Sequence, residues 1–237
     1  MKIGLIDVDG HNYPNLALMK ISAWHKRQGD TVKWYEPLFD GYPKEPLDRV
    51  YMSKVFTFTP DFEFSINANE IIKGGTGYFY PDGGEELQEE IEHIYPDYSL
   101  YGIKNTAYGF LTRGCPRGCD FCIVGHKEGR KSQKVADLKE FWDGQRNIVL
   151  MDPNILACRQ HPELLKQLIE SGANVDLNQG IDARLLTEEN ILLLKQIKIK
   201  NIHFAWDNPK DEEKIVPKLK MFKEMTGIRD REAIVYM

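Results

Sequence analysis

The sequence predicts an α/β protein built on parallel sheets. Short apolar, strand-like runs alternate with amphipathic helical stretches from one end to the other. Gly, Pro, Asn and Asp clusters punctuate almost every junction. At 237 residues, with 42% hydrophobic and 28% charged residues, the composition is that of a globular chain of one large or two small domains.

Residues 2–8 read as a buried strand, 16–28 as an amphipathic helix stopped by Gly29, and 31–35 as a second strand. Two more strands are expected over 49–56 and 70–73, the latter running into Gly74-Gly75. Strands separated by helices pair in parallel. Residues 76–104 break this rhythm: they are rich in Gly, Pro and Tyr, hold one acidic helix over 85–94, and are expected to link a first domain (1–75) to a second (105–237).

The second half places a polar cluster after each strand. Residues 107–112 lead into a cysteine loop and 147–151 into Asp152-Pro153-Asn154. Residues 175–177 lead into Asn178-Gln179-Gly180-Ile181-Asp182, and 202–205 into Trp206-Asp207-Asn208-Pro209. Helices are expected at 162–170, 187–196 and 211–225, and 232–237 opens a fifth strand. Any one of these clusters reads equally well as turn chemistry or helix capping. Their recurrence at four strand ends favours a pocket, because βα folds place their sites at the C-terminal ends of the strands.

The sharpest chemical signal is Cys115-Pro116-Arg117-Gly118-Cys119-Asp120-Phe121-Cys122, three cysteines spaced CxxxCxxC. Structural zinc sites are closed by four ligands and ordinary iron–sulfur clusters by four cysteines, so three ligands leave one metal position open. Gly114 and Gly118 permit tight turns around the loop, Pro116 stiffens it, and Arg113, Arg117 and Lys104 supply positive charge that favours thiolates. A zinc site completed by His126 is the alternative. Cys158, the remaining cysteine, reads as a small buried thiol rather than a ligand.

Cys-x-x-x-Cys-x-aromatic-Cys, with Phe121 at the aromatic position and a strand just before it, resembles the radical S-adenosylmethionine (radical SAM) family. The resemblance implies that Cys115, Cys119 and Cys122 hold a four-iron, four-sulfur (4Fe-4S) cluster whose open iron is chelated by S-adenosylmethionine. Reductive cleavage of that cofactor would give a 5′-deoxyadenosyl radical acting on an unknown substrate, with a flavodoxin- or ferredoxin-type one-electron reductant as partner. Asp152 and Asn154 stand where the family often has Gly-Gly-Glu for the cofactor's amino group. Asn178, Gln179, Asp182 and Arg184 are placed to meet its ribose hydroxyls and methionine carboxylate. The implied second domain is a partial radical SAM barrel. It ends in its fifth strand where the family has about six βα units, so a partner or a further segment is expected over the open edge.

The first domain resembles, more loosely, the Rossmann-like, cobalamin-binding-like domain that precedes many radical SAM barrels. Asp9-x-His11, Ser53-Lys54-Val55 and Gly74-Gly75 stand near the positions of the cobalamin pattern. Pro14 and Val55 replace its glycine and leucine, and the last interval is short, so tight cobalamin binding is not expected. The basic run from His126 to Lys134 suits phosphate or a solvated loop. A net charge of −5 and the lack of a recognisable module do not support nucleic acid. No run of ~20 apolar residues is found and the N-terminus opens on a charged strand, so the chain is expected in the reducing cytoplasm, away from membranes. A rival reading is a non-catalytic iron–sulfur carrier or zinc-binding protein.

Overall fold

A computed structural model describes residues 1–236, apart from the side chain of Asp230; Met237, the end of the expected fifth strand, lies outside the described residues. The chain divides into two compact units, Met1–Ile103 and the residues from Lys104 onward.

The first unit runs β1 (Lys2–Asp7), α1 (Leu16–Arg27), β2 (Thr31–Trp34), α2 (Pro37–Asp40), β3 (Arg49–Ser53), β4 (Ile71–Gly74) and α3 (Glu89–Glu92). Its sheet is parallel throughout, in the order β2-β1-β3-β4. Helix α1 starts where the Asn15 side chain accepts from the Leu18 N–H, and it ends in His25-Lys26-Arg27, whose charge suits a helix C-terminus. Its apolar stripe meets one face of the sheet: Ile3, Leu5, Leu18, Ile21 and Tyr51 are buried together. Ile6, Tyr35, Leu47, Val50 and Met52 form the core of the other face.

The expected linker belongs to this unit. Ile91 is buried in the α1 core, with Leu87 and Leu100 packed against it. Asp97 accepts from Ser22 Oγ and Lys26 Nζ of α1, each at 2.6 Å. Burial of Ile91 alone is worth about 1.5–3 kcal/mol, enough to hold an otherwise polar segment on the helix. The acidic helix shrinks to the four residues of α3.

The second unit runs β5 (Thr106–Gly109), β6 (Thr112–Arg113), α4 (Val124–Lys127), β7 (Gln133–Lys134), β8 (Asn147–Leu150), α5 (His161–Ser171), β9 (Asn174–Asp182), α6 (Glu188–Leu194), β10 (Lys198–Ala205), α7 (Glu212–Thr226) and β11 (Ala233–Tyr236). Five parallel strands make one sheet in the order β11-β10-β9-β8-β5. The expected strand over 107–112 is divided. β5 stays in the sheet, while β6 leaves it and pairs antiparallel with β7 in front of the cysteine loop. Strand β9 runs further than expected, carrying Asn178 to Asp182 as strand rather than loop; register shifts against β10 and a positive φ at Gly180 absorb the irregularity. The α/β class, with a Rossmann-like parallel sheet followed by a partial barrel, stands as predicted. Among the described residues, no helix is long and apolar enough to cross a membrane.

Candidate cluster and cofactor site

The cysteine loop is held from below by the segment that returns to β7. Gly114 has φ +83°, and a Cβ there would lie 2.3 Å from the Lys131 carbonyl oxygen, so only glycine lets the two backbones touch. Its N–H donates to Glu128 Oε2 at 3.1 Å, and the Cys115 N–H donates to the Gly129 carbonyl at 3.1 Å. Gly118 needs glycine for another reason, its φ of +90°, and the Arg130 guanidinium packs over the loop there, 2.4 Å from where a Cβ would sit. The basic run after the cysteines is thus largely the clamp on the loop. Cys115, Cys119 and Cys122 are all partly exposed, Phe121 is 73% exposed, and Cys158 is buried.

The neighbouring strand ends reach this loop. After β8, the amide nitrogen of Asn154 lies 3.6 Å from Cys115 Sγ. At the end of β9, Asp182 accepts from Arg117 Nε within the loop, and from the Arg184 N–H and Nε at 3.1 and 2.7 Å. Arg184 also pairs with Asp211 just before α7. After β10, Asp207 is near enough for its charge to act on Cys119. Groups from the ends of β8, β9 and β10 therefore lie beside the cysteine loop at one end of one sheet.

No family model matches this chain, and no curated protein matches it. Among solved structures it is similar to the radical S-adenosylmethionine methyltransferase TsrM from Kitasatospora setae, determined with a tryptophan substrate and the SAM analogue aza-SAM bound. The match covers 99% of this chain and 67% of that one, with a TM-score of 0.66 and 10% identity. The fold is radical SAM-like. At that identity the likeness concerns architecture, so the site must be weighed on its own residues.

On that test, the donor set suits an iron–sulfur cluster. Among the described residues, no three His, Cys, Asp or Glu side chains converge on one point as ligands of a single ion. A four-iron cube has no such need, because each cysteine holds a separate iron. Asn154 supplies an N–H to one sulfur, and its own Oδ1 is buried without a partner among the described residues.

Three expectations about side chains change. Asp152 does not face a ligand: it is buried, and its oxygens accept from the Leu111 N–H at 2.9 Å and from the Thr112 N–H and Oγ1 at 2.5 Å each. It is the brace that turns the chain from β5 into β6, and burial pushes its carboxyl up to about 7. The positive charge expected around the thiols is largely neutralised, because Arg113 pairs with Glu128 and Arg117 with Asp182. Burial, Asp207 and the two neighbouring cysteines push the Cys119 thiol up, against the pull of Arg184. Arg184 itself is partnered by carboxylates. Asn178 and Gln179 are exposed near the end of β9, ahead of Asp182.

Sequence reasoning did not single out Asp211 or the clamp of Glu128 and Arg130. Their only sequence signals were a helix start and a charge run.

The first unit has a strand-end crevice of its own, about 350 Å³, lined by residues including Asp7, His11, Trp34, Glu36 and Phe62. His11 stacks on Trp34 with ring centroids 4.1 Å apart. Asp9 accepts from the Val55 and Phe56 N–H groups and from Thr59 Oγ1, and Ser53 Oγ accepts from Asn15 Nδ2 at 2.8 Å. Gly75 has φ +94° and admits the Lys54 carbonyl, which a Cβ would meet at 2.3 Å.

Proposed function

We propose that this chain is a radical SAM enzyme acting on a substrate its sequence does not name. The observation that carries the reading is the convergence of three cysteines in CxxxCxxC with polar groups from three further strand ends, in a radical SAM-like fold. With cluster and cofactor bound, the chemistry supplied is one-electron reductive cleavage of S-adenosylmethionine to methionine and a 5′-deoxyadenosyl radical, which takes hydrogen from the substrate.

The chain's residues divide the remaining work. Cys115, Cys119 and Cys122 hold the cluster and leave one iron open. The partnerless Oδ1 of Asn154 accepts from the cofactor's amino group. Arg184 meets the methionine carboxylate as a planar fork, with Asp182 and Asp211 keeping it charged and aimed. Asn178 and Gln179 serve the ribose hydroxyls. Asp152 acts indirectly, by fixing the strand that feeds the loop. A flavodoxin- or ferredoxin-type protein delivers the electron, in the cytoplasm.

Anaerobic reconstitution followed by incubation with S-adenosylmethionine and a strong reductant tests this. The expected outcome is visible cluster absorbance, 5′-deoxyadenosine formation, and a change in the paramagnetic resonance spectrum of the reduced cluster on adding the cofactor. Arg184→Ala should weaken that last effect by about 1.5–3 kcal/mol, the range for a hydrogen bond to a charged group. A cluster that forms but neither responds to the cofactor nor cleaves it would make the protein an electron carrier.

A further inference from the structure

Asn154 is 2% exposed, and its side chain makes an unusual pair of arrangements. The nitrogen lies 3.6 Å from Cys115 Sγ, while Oδ1 is buried with no partner among the described residues. An unsatisfied buried acceptor is costly, and an apolar residue of similar shape would fill the space without that cost. The backbone holds the residue in place. Its carbonyl accepts from the buried Ser132 Oγ at 3.1 Å and from the Ala157 N–H at 3.2 Å. The sulfur fixes the orientation of the amide: a thiolate on iron carries no proton and only accepts, so the NH₂ end faces Cys115 and the oxygen faces away.

We infer that Asn154 sets the reduction potential of the cluster through an N–H···S bond to Cys115. The inference rests on the reading of Cys115 as an iron ligand. Reduction adds one electron and increases negative charge on the ligand sulfurs. An N–H donor at one of them is therefore bound more strongly in the reduced state, which it stabilises, raising the potential. Toward the cluster Asn154 is a positioning residue, acting through Cys115 with its nitrogen and not on the substrate. Its second end, Oδ1, lets a donor on the bound cofactor polarise the same amide and strengthen the sulfur bond.

Redox titration of the reconstituted full chain, followed by paramagnetic resonance, tests the inference in wild type, Asn154→Leu and Asn154→Asp. Leucine removes the donor; aspartate keeps the shape, loses the N–H and adds negative charge. Both variants should load iron and sulfide as wild type does, yet reduce at lower potential. For Asn154→Leu the one-electron equilibrium should shift about tenfold, or about 59 mV. If leucine compromises folding, the near-isosteric aspartate still gives the answer. Cluster-loaded variants with the wild-type potential and spectrum would sink the inference and leave the assignment of Cys115 standing. A wild-type chain that takes up no cluster would remove both.

Discussion

The two units build their strand ends from the same materials and arrange them to opposite effect. Each has a parallel sheet with Asp, Asn and Gly at the ends of its strands, and each carries a sequence pattern resembling a cofactor site. In the first unit, the polar groups at the matching positions bind one another: Asp9 holds the loop after β3, and Asn15 donates to Ser53. In the second, donors and acceptors also pair, but three free thiols share one loop, and the amide oxygen of Asn154 beside it has no partner among the described residues. A motif in a loop carries function to the extent that its groups are not already consumed by the fold.

The largest effect expected concerns the thiols. Cys115→Ala, Cys119→Ala and Cys122→Ala should each lose the reconstituted cluster, whereas Cys158→Ala should retain it, as judged by iron and sulfide content. Retention in any of the first three would dissolve the contrast between the units.

A second test uses the two glycines that admit a carbonyl. Gly114→Ala and Gly75→Ala face equal strain, each with positive φ and a 2.3 Å clash with backbone oxygen, costing about 2 kcal/mol or more. Chemical denaturation should show similar losses in both. Only Gly114→Ala should also reduce cluster content.

The braces come next. Asp152→Asn turns an amide toward buried donors and should cost about 1–3 kcal/mol, while Asp9→Asn, with water nearby to substitute, should cost less. Burial holds the folded-state value for Asp152 near 7, above the ordinary carboxylate value of about 4. Between those limits the folded chain retains a proton that the unfolded chain has released, so stability contributed by this group is full below pH ~4 and is lost as pH rises toward 7. Denaturation midpoints should show that slope in wild type and not in Asp152→Asn.

The smallest effect is expected at His11. His11→Ala removes the stack on Trp34, worth about 0.5–1.5 kcal/mol, and should leave cluster content unchanged. Hydroxocobalamin incubated with the wild-type chain should separate from it on gel filtration. Stoichiometric co-elution, lost in His11→Ala, would make the first unit a cofactor domain after all.

Much of this was legible in the sequence. Helix and strand order followed from periodicity, and the cysteine spacing marked the candidate site because few other arrangements demand three thiols in eight residues. The packed segment around Ile91 was not legible, since isolated apolar residues among acids and prolines show no period. Asn178-Gln179-Gly180 looked like a turn because turn residues and an irregular strand share one composition; the pairing of Ile181 and Asp182 with β10, beyond a register shift, carries the strand through them. Asp152 shows the deeper limit. A carboxylate at a strand end has the same sequence signature whether it faces a ligand or the backbone, and only the three donors around it tell which.

The pairing of Arg184 with Asp182 and Asp211 has a further consequence for selectivity. The guanidinium already has two resident carboxylates, so at the proposed site an arriving carboxylate would share its donors with them instead of meeting a bare cation. The residents are tethered and stay, so the newcomer would add its own charge to the pocket and would be held by directed hydrogen bonds more than by net attraction. That arrangement would rank guests by shape: a planar, two-oxygen anion can take two of the remaining donors at once, whereas a chloride ion cannot.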